Sequence, residues 1–195
     1  MRVNLIFFAI LLLALAGYAY VQNLSNPAPE ARSAASPQSG ATSQISTLTQ
    51  GKLISADGTP FAFPANAPVT SIRYYAIYYS AGWCPPCHAF TPVLVEWYRK
   101  FKPAHPDFEL IFVSDDHDES AMLDYMKEMA MPWPAMRFNE LNHNGSGIEG
   151  FAGEGIPDLV LVDADGKVLS DSFRNGTYVG PQAVVDDINR LVGGS

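Results

Sequence analysis

Cysteine is scarce in this chain, with two residues among 195. Two cysteines close at most one bridge, and a bridge over so short a loop constrains little of the unfolded chain, so a stabilising disulfide framework is excluded. Basic residues are also few. Twelve Lys and Arg stand against 20 Asp and Glu, for a formal net charge of −8 at pH 7. A nucleic-acid partner requires a basic face, so that class of function is excluded too. The acidity reads as a solubility feature. No internal repeat is evident. Apolar material is plentiful instead: hydrophobic residues make up 48% and aromatics 12%, enough for one ordinary core.

Met1-Arg2-Val3-Asn4 places one positive charge ahead of an apolar run over residues 5–21, the layout of an export signal. Its strongly apolar part, residues 5–16, has signal-peptide length. Continued through Tyr18 and Tyr20, it approaches the ~17–25 residues that span a bilayer, and tyrosines suit the interface of a retained anchor. Residues 1–21 therefore read as a signal peptide or an N-terminal membrane anchor. Either predicts a domain outside the cytoplasm, in the periplasm or anchored facing it. Residues 22–46, rich in Ser, Ala, Pro and Gln, cannot bury enough surface to offset ordering entropy and read as a flexible linker. Residues 47–195 carry the globular pattern.

Within that domain, Gly51-Lys52-Leu53-Ile54, the turn Asp57-Gly58 and Phe61-Ala62-Phe63 read as a short β-hairpin. Residues 72–79 are apolar on both faces, as in a central strand, and residues 108–113 read as a second buried strand. Between them, Phe90, Val93, Leu94, Trp97 and Phe101 recur at helical spacing, predicting a helix over 85–102. Residues 118–131 form a second helix with Met122, Tyr125, Met126 and Met129 on one face. Residues 159–162 and 168–169 are strands joined by Asp163-Ala164-Asp165-Gly166, a hairpin turn signal. Residues 182–192 close the chain as a helix. The expected fold class is α/β: a central mixed β-sheet flanked by helices, with an N-terminal β-hairpin extension.

Both cysteines lie in Trp83-Cys84-Pro85-Pro86-Cys87, directly after the first long strand. A strand that delivers a cysteine to the first turn of a helix aims unpaired N–H groups and the positive end of the helix dipole at its sulfur. Such a site favours the thiolate, the species that attacks disulfides. Two prolines, with φ fixed and no N–H to satisfy, suit that first turn. A free thiol of pKa ≈ 8.5 is only about 3% ionised at pH 7, whereas a pKa of ~7 gives about half. The chemistry that follows is thiol–disulfide exchange.

The order of elements, with W-C-P-P-C after the first long strand, resembles the thioredoxin fold. The segment over residues 76–92 is similar to the active-site stretch of the tryparedoxin and nucleoredoxin group. Met131-Pro132-Trp133-Pro134-Ala135 and Gly155-Ile156-Pro157-Asp158-Leu159 match that group in order and separation. The resemblance covers about residues 51–192. It implies that Cys84 is the exposed attacking cysteine and Cys87 the resolving one. The redox-active Cys84–Cys87 disulfide then serves with no separate cofactor. It further implies that Trp83, Pro85, Pro86 and Tyr78 support the site and that Pro92 kinks its helix. Pro157 is expected in the cis form, with Ile156 and Pro157 binding substrate. Tyr78 stands where thioredoxin proper has a buried carboxylate that assists the resolving cysteine, which leaves that proton acceptor unidentified. His88 stands where an Arg or Lys often follows the second cysteine. The implied function is a thiol–disulfide oxidoreductase, reducing protein disulfides outside the cytoplasm with electrons from a separate thiol donor. It is expected to be monomeric and to touch a membrane only through an uncleaved N-terminal segment. Run backwards, the same site is a dithiol oxidase or isomerase.

Other readings of the same residues stay open. Cys84-Pro85-Pro86-Cys87-His88 spells the C-x-x-C-H of c-type haem attachment, although the motif follows a buried strand in an α/β pattern. Zinc could use the cysteines with His105, His117 or His143, but their spacing is poor. A non-catalytic interaction module could also retain this fold. Asp115-Asp116-His117-Asp118 reads as a helix start rather than a metal site, and residues 163–166 lack the ligand set of a calcium loop. Asn-x-Ser/Thr motifs occur at Asn23, Asn144 and Asn175.

Overall fold

The computed structural model describes residues 44–61, 63, 72–141 and 147–194. The expected signal or anchor segment and most of the linker lie outside the described residues. At the centre is β2 (Tyr74–Ser80), buried at every position but Tyr74. It pairs in parallel with the fully buried β3 (Phe108–Ser114), from Tyr74 opposite Phe108 to Ser80 opposite Ser114. A parallel pair needs a long crossover, and α2 (Pro85–Phe101) supplies it. On the other side of β2 lies β5 (Asp158–Asp163), antiparallel, followed by β6 (Val168–Asp171). The strands β4 (Ala135–Met136) and β1 (Leu53–Ile54) complete a six-stranded mixed sheet of order β1-β4-β3-β2-β5-β6.

Strand periodicity splits the core in two. Ala76, Tyr78, Leu110, Phe112, Leu159 and Leu161 face α2, α3 (Glu119–Glu128) and α4 (Pro181–Leu191). Tyr75, Ile77, Tyr79, Ile111, Val160 and Val162 face the other way, against Ile45 of the short α1 (Gln44–Thr49) and Ile148. Ile45 is fully buried, so packed chain begins inside the stretch read as linker. The expected N-terminal hairpin keeps its turn, with an Ile54–Pro60 bridge and a Ser55 N–H to Thr59 C=O bond. Its first strand, however, is enrolled as the edge of the main sheet against β4 rather than standing apart.

Periodicity assigns Val93 to the buried face of α2, yet Val93 is 52% exposed. The buried stripe is Cys87, Thr91, Leu94, Val95, Tyr98 and Phe101. Cys87 and Thr91 set its phase, and a reading keyed to large apolar residues passes over them. The helix over residues 118–131 is shorter than expected. Asp118 caps it by accepting from the Ala121 N–H at 2.8 Å, and it ends at Glu128. Ala130 then takes a positive φ of 50°, two residues ahead of Pro132. A second hairpin, β7 (Phe173–Arg174) and β8 (Thr177–Tyr178), was not expected. Its signal is Asn175-Gly176, where both residues take the positive φ that a tight hairpin turn demands. The same dipeptide also opens the Asn175-Gly176-Thr177 glycosylation motif.

Candidate active site

Cys84 ends the loop after β2 and caps α2 from an extended conformation, φ −97° and ψ 108°. Pro85 and Pro86 occupy the first helical positions and carry no N–H, so Cys87 has the first free amide of the helix. That N–H points at the Cys84 sulfur, 3.3 Å away. Cys84 and Cys87 are joined as a disulfide with Cα atoms 5.2 Å apart.

The two sulfurs have different surroundings. Cys84 lines a groove of about 610 Å³, whereas Cys87 does not and is fully buried. The expectation of an exposed Cys84 needs correction in degree. It is only 3% exposed, packed with Ala81, Cys87 and Ile156. One wall is Trp83, Pro85 and Pro86; the other is Gly153, Glu154, Gly155 and Ile156. The Ile156 carbonyl oxygen lies 3.9 Å from the Cys84 sulfur, a contact only, since a disulfide sulfur has no proton to donate. The Ile156–Pro157 peptide is cis. Asp115, Glu149 and Glu154 also line the groove, and among the described residues no Lys or Arg does.

The loop before Cys84 is tied down at several points. The Gly82 N–H donates to Asp116 at 2.8 Å, and the Gly82 carbonyl accepts from His88 Nε2 at 2.5 Å. His88 therefore donates through its Nε2–H and turns back onto the loop. Trp83 is half exposed, donates through Nε1 to the Asp115 carbonyl at 2.9 Å, and stacks with His117. The acidic run 115–118 thus does more than start a helix: its first two residues anchor the active-site loop, and only Asp118 serves as the cap.

Tyr78 lies beneath α2, its hydroxyl 2.8 Å from Thr91 Oγ1. Thr91 spends its one O–H on the Cys87 carbonyl at 2.8 Å, so it accepts from Tyr78 and, at 2.6 Å, from Tyr125. Tyr125 in turn is 3.0 Å from Ser80 Oγ and accepts from it. Burial pushes the Tyr78 and Tyr125 phenols above the usual tyrosine range. Tyr78 stays neutral and stitches helix to sheet; it is not a base.

Asp158 belongs to the segment over residues 155–159 that carries the resemblance, but no role of its own could be read from the sequence. It follows Pro157 directly, is fully buried, accepts from the Gly153 N–H at 2.7 Å through Oδ2, and leaves Oδ1 without a hydrogen bond. Burial, reinforced by the charge of Asp171, pushes its pKa up to about 6. The available signal was an acid opening an otherwise apolar strand, Asp158-Leu159-Val160-Leu161-Val162.

The haem-attachment reading does not survive this geometry. The cysteines open a helix in an α/β domain with their sulfurs bonded to each other, and His88 is held by Gly82. The histidines proposed for zinc are not gathered. His105 bonds the Phe101 carbonyl, His117 stacks on Trp83, and His143 lies outside the described residues. Among the described residues no group of three or more His, Cys, Asp or Glu side chains is placed to hold a metal ion.

Residues 72–168 match a protein-family model described as thioredoxin-like. Mouse nucleoredoxin is 40% identical over 101 residues, covering 52% of this chain and 23% of nucleoredoxin. Tryparedoxin of Trypanosoma brucei brucei is 38% identical over 106 residues, 54% of this chain and 72% of that protein. Among solved structures, native tryparedoxin I from Crithidia fasciculata superposes with a TM-score of 0.56 at 29% identity, covering 76% of this chain and 96% of the other. A thioredoxin from Wuchereria bancrofti gives 0.54 at 31%, with 72% and 94% covered. The chain spans about a quarter of the length of the nucleoredoxins it matches. These relatives correct the expected location. The nucleoredoxins it matches are intracellular proteins, which overturns the expected extracytoplasmic placement. Among the described residues, which do not include 1–43, no helix is long and apolar enough to cross a membrane. An arginine before a short apolar run is a compositional signal without geometry, and it does not carry a periplasmic placement against these relatives.

Proposed function

The chain belongs to the thioredoxin-like family, on its tryparedoxin and nucleoredoxin side, and from that membership and the groove geometry we propose that it reduces protein disulfides through Cys84 and Cys87. In the reduced protein the Cys84 thiolate attacks one sulfur of the substrate disulfide. The substrate S–S bond breaks, its other sulfur leaves as a thiolate and takes a proton from water, and a mixed disulfide forms at Cys84. Cys87, as thiolate, then attacks the Cys84 sulfur, releases the second substrate thiol and closes the Cys84–Cys87 bond. A separate thiol donor returns the two electrons. The one observation that carries this reading is the asymmetry of the pair: Cys84 faces a groove and Cys87 is sealed beneath it.

Activation of Cys84 follows from the helix start. The Cys87 N–H at 3.3 Å and the positive helix end both favour a thiolate there. His88, bonded to Gly82, contributes by holding the loop. Pro85-Pro86 and Ile156 resemble the reducing members of a family whose potentials run from about −270 to about −120 mV, which favours reductase over oxidase. The carboxylates of Asp115, Glu149 and Glu154, with no Lys or Arg in the lining among the described residues, favour disulfides flanked by basic residues.

Insulin reduction driven by dithiothreitol tests the reading. The wild-type domain should catalyse it and Cys84→Ser should not. A peptide disulfide with lysine flanks should be reduced faster than one with glutamate flanks, with the gap closing as salt is added. Full activity in Cys84→Ser would contradict the mechanism.

A further inference from the structure

The wall of the groove opposite Trp83 is a loop, and loops hold a substrate-facing backbone only when something fixes them. Here two contacts converge on it from hairpin β7–β8. The Tyr178 hydroxyl donates to the Pro157 carbonyl at 2.8 Å. The Phe173 ring lies so close to Gly153 that a Cβ there would sit 2.2 Å from Phe173 Cδ2. The two aromatic residues are cross-strand partners with ring centroids 5.0 Å apart, so they act as one surface. The hairpin is itself rooted in the sheet through the buried Ser172, whose hydroxyl accepts from the Leu159 N–H at 2.9 Å and donates to the Leu159 carbonyl at 3.0 Å. Tyr178 is 48% exposed. A tyrosine half in water with its hydroxyl spent on a loop carbonyl is better explained by what it holds than by the area it buries.

We infer that hairpin β7–β8 is a brace for the substrate-facing wall and that Tyr178 is its positioning residue, fixing the Ile156–Pro157 backbone opposite Cys84. The kinetic consequence rests on the reductase reading above; the structural consequence does not. Tyr178 touches no reacting atom. It acts through the Pro157 carbonyl, so its loss should weaken docking of a protein substrate without altering the chemistry at sulfur.

The test is Tyr178→Phe, which removes one O–H and keeps the ring against Phe173. The KM for insulin should rise roughly three- to tenfold, as expected for one hydrogen bond. The kcat and the rate at which iodoacetamide alkylates reduced Cys84 should stay at wild-type values. Amide hydrogen exchange at Gly153, Glu154, Gly155 and Ile156 should quicken, while the thermal midpoint moves by no more than a few degrees. Unchanged exchange in this segment would overturn the brace whatever the kinetics. Faster exchange with a wild-type KM would overturn the positioning role. A wild-type protein that reduces no disulfide would remove the reductase reading, and the exchange rates, which need no turnover, would still decide the brace.

Discussion

Asp158 shows how much a single buried carboxyl can weigh on the molecule. Its pKa is raised from an ordinary 3.8 to about 6 by burial. A carboxyl that binds its proton more tightly when folded favours folding at low pH, and that contribution fades as pH rises from about 4 through about 6. At neutral pH the folded state carries the cost of a buried charge, at most about 3 kcal/mol for a shift of this size. Asp158→Asn keeps an acceptor for the Gly153 N–H and removes the charge. It should flatten the stability profile between pH 4 and 7 and raise stability at pH 7 by about 1–3 kcal/mol, measured by urea unfolding across that range. An unchanged profile would show that the carboxyl is not the group responsible. Asp158 also marks a limit of sequence reading. The cysteine pair is legible because its spacing and its place after a strand state the chemistry outright. An acid after proline reveals its burial only once β5 is placed antiparallel to β2, with Asp158 opposite Tyr79.

At the scale of elements, α2 is held to the sheet by hydroxyls as well as by apolar contact. Thr91 is the hub: it donates to the Cys87 carbonyl and accepts from Tyr78 and Tyr125, all in buried surroundings. Thr91→Val preserves shape but takes the acceptor from the buried Tyr78 phenol, a cost of about 1–3 kcal/mol. It also takes the acceptor from Tyr125, which can turn its O–H to Ser80, and loses the bond to the Cys87 carbonyl. Tyr78→Phe removes a donor and leaves Thr91 with its other partners, so it should cost only about 1 kcal/mol. Urea unfolding of the two variants should therefore rank Thr91→Val well below Tyr78→Phe, and equal stabilities would contradict the hub. Long elements such as β2, β3, α2 and β5 were legible because each spans several periods of burial. Of the two-residue strands, β1 was legible only as one arm of a hairpin and β4 not at all, since β4 is a strand only through its pairing with β3 and β1 joins the sheet only through β4. Val93 was misassigned because the helix is phased by Cys87 and Thr91, whose burial follows from the site they build.

For the molecule as a whole, the alternation of strands and helices was enough to place the active-site helix as the crossover between two parallel central strands. That placement puts Cys84 at the end of β2, beside the loop that precedes β5. The second groove wall was legible only in part. Ile156 of that wall, and Pro157 next to it in the chain, were named by resemblance, whereas the hairpin behind them is short, polar at its turn and joined to Pro157 by a contact between residues 21 positions apart. The location was misread because a terminal apolar run carries no tertiary constraint. All of the chemistry rests on one assignment: Cys84 attacks and Cys87 resolves. The direct measurement is to mix reduced Cys87→Ser protein with a disulfide substrate and read the adduct by mass spectrometry after proteolysis. A stable mixed disulfide through Cys84, absent in Cys84→Ser, is the predicted result. An adduct that forms through Cys87 in Cys84→Ser at the rate seen for Cys84 would contradict it.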